Sequence, residues 1–149
     1  MRSVTITGSR TTEHHPPEHY AALFRAYLAP FADDTHFYLG GARGIDSLAL
    51  AWLAHETPAH LTVAVPGTLD QQPPEARHAL TRAWPRVTHL VELGADALDA
   101  EAHDARNRWM IDRTTLTIAF PVLNIRRSST RRALDYTAQQ GKPHLIVPV

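Results

Sequence analysis

Short β-like runs alternate with longer helical stripes along the whole chain, and this alternation limits the possible folds more than any other feature. Val4 to Thr7, His36 to Leu39, "LTVAV" (Leu61 to Val65), Val87 to Leu93, "LTIAF" (Leu116 to Phe120) and the closing "HLIVPV" read as strands. Between them Tyr20, Leu23, Phe24, Tyr27, Leu28 and Phe31 recur at helical spacing. So do Ile45, Leu48, Ala49, Trp52 and Leu53, and then Ala76, Ala79, Leu80 and Ala83, before Pro85 stops the pattern. Ala105, Trp109 and Met110 suggest another helix, whereas the acidic, alanine-rich stretch from Gly94 to Asp104 reads as loop or weak helix. A last helix is capped by Ser128 or Ser129 and closed by Gly141. Strand and helix alternating through short connections predict an α/β fold. The expected form is one Rossmann-like domain over residues 1–149, a three-layer sandwich whose mainly parallel sheet is covered by helices on both faces.

In such sheets ligands bind beyond the carboxyl ends of the strands, where the strand order reverses. Four loops at that edge carry glycine, arginine or both: Gly8, Ser9 and Arg10 after the first strand; Gly40, Gly41, Arg43 and Gly44 after the second; Gly67 after the third; Arg126 and Arg127 after the fifth. Glycine lets backbone approach a ligand, and a helix start offers free N–H groups and a positive dipole end, so the convergence predicts a phosphate or nucleotide site. Asp46, in the first turn of its helix, is either a dipole partner or a contact to ribose. Ser128, Ser129 and Thr130 open the last helix and serve as caps or phosphate ligands. Arg127 and Arg131 share a helical face within the basic cluster Arg126, Arg127, Arg131 and Arg132.

The 149 residues hold no cysteine, which excludes disulfides, thiolate metal sites and cysteine nucleophiles. Without a long apolar run no membrane span is expected, and a cytoplasmic protein is. Net charge is zero, so no global field gathers nucleic acid, although arginine outnumbers the single lysine, Lys142, among the 15 cations. His15 and His19 lie four apart but lack a carboxylate in a recognisable zinc spacing, and no metal is expected. A serine hydrolase is unsupported, because no G-x-S-x-G elbow is present.

"TGSR" (Thr7 to Arg10), "GGARGID" (Gly40 to Asp46), "AVPGTLDQQPP" (Ala64 to Pro74) and "RNRWMI" (Arg106 to Ile111), in this order at strand ends and a helix start, resemble the SLOG superfamily. That group includes the DNA-processing protein DprA, the YspA-type Rossmann proteins and the Lonely Guy (LOG) phosphoribohydrolases. The resemblance covers almost the entire chain and implies a nucleotide-derived ligand, with no other cofactor required. Its phosphates would lie across Gly8 to Arg10, Gly41 to Gly44 and the helix start at Ser128 to Thr130, neutralised by Arg43 and Arg106, with Asn107 holding a neighbouring loop.

The leading expectation is therefore a sensor or regulator that binds a nucleotide or a nucleotide-derived small molecule. A LOG-like hydrolase of N-glycosidic bonds is the first alternative. Ala133 stands where the LOG glutamate would, which leaves Asp46 or Asp70 as the catalytic candidates. DprA-like binding of single-stranded DNA is the second alternative. The resemblance also implies self-association as a homodimer.

Overall fold

A computed structural model describes residues 1–125 and 127–149, so Arg126 of the basic cluster lies outside the described residues. Six strands form one sheet in the order β4-β3-β2-β1-β5-β6, and every neighbouring pair runs parallel. They are β1 (Arg2–Gly8), β2 (Thr35–Gly40), β3 (His60–Val65), β4 (Val87–Glu92), β5 (Leu116–Phe120) and β6 (His144–Ile146). Among the described residues five α-helices connect them: α1 (Pro17–Tyr27), α2 (Ile45–Glu56), α3 (Pro74–Ala83), α4 (Ala100–Asp112) and α5 (Ser129–Gln139). This is the expected Rossmann-like sandwich.

Strand alternation sorts the sheet residues onto two unlike faces. Val4 and Ile6 of β1, Phe37 and Leu39 of β2, Leu61, Val63 and Val65 of β3, and Ile118 and Phe120 of β5 meet Phe24 of α1, Ile45, Ala49 and Leu53 of α2 and Leu80 of α3 in the main core. The opposite face is polar where α4 and α5 settle on it. Thr5 and Thr114 share a buried 2.7 Å hydroxyl bond, Thr117 and Thr137 one of 3.1 Å, and Trp109 packs against Tyr38.

Three boundaries differ from the sequence expectation. α1 ends at Tyr27 and a 3-10 turn over Ala29–Phe31 finishes the apolar face, because Pro30 cannot donate to a continuing helix. β6 is only three residues long, although Val147 and Val149 still donate to Ala119 and Pro121. The third difference matters most for the site: α4 begins at Ala100, inside the stretch read as loop or weak helix. Its N-cap is Asp99, whose carboxylate accepts from the Ala102 N–H at 2.9 Å.

The chain leaves β1 toward β2, β3 and β4 and then crosses to β5 on the other side. The reversal lies between β1 and β5, and their carboxyl ends open a crevice there.

Candidate functional site

The crevice is a cleft of about 350 Å³. Gly8, Ser9 and Arg10 form one wall where β1 ends, and Ser128, Ser129 and Thr130 form another where α5 begins. Asp99, Ala100 and His103 bring in the first turn of α4, and Pro121, Val122 and Ile125 complete the lining from the β5–α5 loop. The loop after β1 is held from both sides: Ser9 N–H donates to the Phe120 carbonyl at 3.1 Å, and the Ser9 carbonyl accepts from Ile45 N–H at 2.9 Å. Ser128 caps α5 by accepting from the Arg131 N–H at 3.1 Å, and the N–H groups of Ser129 and Thr130 ahead of it have no acceptor among the described residues.

The two helix mouths differ electrically. α5 has no acidic residue in its first turn. α4 is capped by Asp99 and carries Glu101, so its dipole end is already answered. An anion in the cleft is therefore drawn to α5 and Arg10. Arg132, also in the lining, is tied to Asp104 of α4 at 2.8 Å, which fixes the α5 mouth against α4.

Behind the cleft a second group of expected site residues is buried. Arg106 is 3% exposed, its Nε donates to Asn107 Oδ1 at 2.8 Å and one terminal nitrogen donates to the Ala64 carbonyl at 3.3 Å. Asp46, 7% exposed, accepts a long 3.4 Å bond from Ala42 N–H, while its other oxygen has no partner among the described residues. Burial pushes the Asp46 carboxyl up to about 7, against the pull of Arg106, the Ala42 N–H and Arg10. Gly40 makes room for this group, since a Cβ there would overlap the Arg106 guanidinium and lie 2.8 Å from the Asp46 carboxylate.

Of the residues expected from sequence, the fold thus gathers Gly8, Ser9, Arg10, Ser128, Ser129 and Thr130 around one cleft. Asp46, Arg106 and Asn107 lie beneath the sheet edge and outside its lining. The space beside Gly41 is filled by Val65 and that beside Gly67 by Gln71, and neither glycine lines the cleft. Arg43 and Asp70 are exposed, also outside the lining. Asp70 sits in a 3-10 turn after β3 that is pinned by Glu92 accepting from Leu69 N–H at 2.7 Å.

No protein-family model matches the chain, and no curated protein matches it by sequence. Solved structures do. DNA processing protein A from Helicobacter pylori, which has a unique single-stranded DNA binding mode, superimposes with a TM-score of 0.74 at 20% identity over 99% of this chain and 66% of that one. DNA processing protein A (DprA) from Streptococcus pneumoniae gives 0.76 at 19% identity, over 99% of this chain and 50% of that one. The chain has a DprA-like fold. It spans between half and two thirds of the length of these two DprA structures.

Within this DprA-like fold, sequence reasoning missed Asp99 and His103. His103 is 9% exposed and lines the cleft, yet it falls in the stretch that showed no apolar periodicity. The signal that could have exposed both was the capping pattern. An aspartate ahead of "AEAHDARNRWMI" marks a helix start, and spacing from it puts His103 and Arg106 on one side of α4 with Asn107.

Proposed function

We propose that the chain binds single-stranded DNA and seats one backbone phosphate in the β1–β5 cleft. The observation that carries this is the convergence, at the reversal of strand order, of the Gly8–Ser9–Arg10 loop with the capped start of α5 in a single cleft of about 350 Å³. Arg10 supplies the charge and the free N–H groups of α5 supply direction. Leu123 and Ile125 are 61% and 44% exposed on the adjoining loop and offer apolar ground for a base face. The likeness to a DprA fold with a single-stranded DNA binding mode supports the same reading.

Anisotropy of a labelled 5′-hydroxyl oligo-dT across a salt series tests it. With zero net charge over the chain, one or two neutralised phosphates give a shallow log–log slope of about −0.7 to −1.4. Arg10→Ala should weaken binding about ten- to a hundredfold, since a charged hydrogen bond contributes about 1.5–3 kcal/mol. Absence of binding at low salt would overturn the reading.

A second reading, a small phosphorylated nucleotide as ligand, is favoured by one observation. The cleft sits at the small end of the roughly 300–1,000 Å³ typical of small-molecule sites, in a chain of zero net charge. Mononucleotides and ADP-ribose in a thermal-shift panel separate the two, because the small-ligand reading requires a shift without any oligonucleotide. The hydrolase alternative draws less support: Asp46 is buried and Asp70 is on another loop, so Asp99 is the one carboxylate among the described cleft residues.

A further inference from the structure

His103 sets a polar ring in the cleft wall with no side-chain hydrogen bond among the described residues. It lies one turn into α4, is only 9% exposed, and lines the cleft together with Ser9 and Arg10. Its Nδ1 is buried with no hydrogen-bond partner among the described residues, so Nε2 is the ring nitrogen left to meet a ligand where the residue lines the cleft. Burial, followed by the Arg10 and Arg106 guanidiniums, lowers its pKa to about 4 against the opposite pull of Asp104 and Asp99. At neutral pH the ring is uncharged.

A neutral imidazole carries one N–H and one lone pair, and the surroundings select the tautomer. A proton on Nδ1 would bury a donor without an acceptor among the described residues, and the Arg10 and Arg106 charges oppose added positive charge on the ring more than Asp104 and Asp99 favour it. A bare lone pair on Nδ1 suits that positive field, so the proton belongs on Nε2, directed into the cleft. The Asp99 carboxylate keeps an anion off the α4 mouth, so a phosphate between Arg10 and the start of α5 is left to the Nε2 edge of His103 as the remaining side-chain donor on that wall.

We propose that His103 is a ligand-reading residue, donating a fixed Nε2–H hydrogen bond to a phosphodiester oxygen held between Arg10 and the N-terminus of α5. This inference rests on the reading that the cleft takes a nucleic-acid phosphate. It implies a contact that works at full strength at neutral pH, since the donor is the uncharged ring.

The test compares the wild type with His103→Gln, whose amide can place an N–H near the Nε2 position, and with His103→Leu, which fills the volume without a donor. Folding midpoints are measured alongside. With 5′-hydroxyl oligo-dT as probe, His103→Leu should lose about tenfold in affinity and His103→Gln should recover to within about threefold of the wild type. In ¹⁵N-labelled wild type the ring proton should reside on Nε2 and its signal should move as oligo-dT is added. Equal affinity of the leucine variant, equal losses in both variants, or a ring proton on Nδ1 would overturn the assignment. Should the wild type not bind oligo-dT, the DNA reading fails first and inorganic phosphate becomes the probe. Movement of the His103 signal with phosphate then upholds its role as an anion donor, and a static signal overturns it.

Discussion

Gly44 holds the cleft in register through the one backbone conformation a side chain resists. Its φ is 77°, and a Cβ there would collide with the Ser9 carbonyl and lie 2.7 Å from the Arg10 backbone. The residue that opens α2 therefore sets how closely the β1 loop approaches. Gly44→Ala should cost about 2 kcal/mol or more, seen as a midpoint lowered by about 4–8 °C in thermal unfolding. Oligo-dT affinity should drop even where the variant is fully folded, because Arg10 is displaced; a variant that melts and binds like the wild type would contradict this. The bare backbone of "GGARG" was legible in the sequence as a close approach. What approaches at Gly8, Gly40, Gly41 and Gly44 is the protein itself: Ile45, Arg106 with Asp46, Val65, and the Ser9–Arg10 backbone. A sequence marks where a Cβ is not tolerated and is silent on which atoms fill the space.

α4 shows how element-scale reading fails in physical terms. Helices declare themselves by apolar periodicity, and the buried side of this one is made of Ala102, His103, Arg106, Asn107, Met110 and Ile111. Three of those six are charged or polar types that count against burial in any pattern search, so the helix was recognised only from Ala105 onward, where Trp109 and Met110 enter. α1, α2 and α3 bury mostly apolar side chains and were legible. The helix that failed the pattern is the one that brings Asp99 and His103 to the cleft. Its cap yields a prediction in two parts. Asp99→Ala removes the 2.9 Å bond to Ala102 N–H and should cost about 1 kcal/mol of stability. Asp99→Asn keeps a capping oxygen and removes the negative charge, so stability should hold while oligo-dT affinity rises a few-fold. Unchanged affinity in the asparagine variant would place the anion away from the α4 mouth.

At the scale of the whole molecule, two buried groups give stability a pH dependence in which they oppose each other. Asp46 keeps its proton up to about pH 7 when folded and to 3.8 when unfolded, so between these values the folded chain holds the extra proton and stability falls as pH rises. His103 works the other way: with a folded pKa of about 4 against 6.5, the unfolded chain holds the extra proton in that window, and stability rises with pH. The two slopes oppose each other between about pH 4 and 6.5, each reaching at most about 1.4 kcal/mol per pH unit. Urea unfolding at several pH values should show Asp46→Asn gaining stability relative to the wild type as pH rises through this window, and His103→Gln losing it. Parallel curves for all three proteins would show that neither group titrates on unfolding.

Two helices cannot roof six strands. Beyond Trp109 and Tyr38, the face shared by α4 and α5 gives way to His36, His60 and His89 on three neighbouring strands, with His36 bonded to Thr62 at 2.6 Å and His60 and His89 exposed. The main core lies on the far side of the sheet and the cleft lies at its edge, so neither depends on what this strip displays. Hydrophilic replacements of the exposed His60 and His89 should therefore leave both the core and the cleft in place.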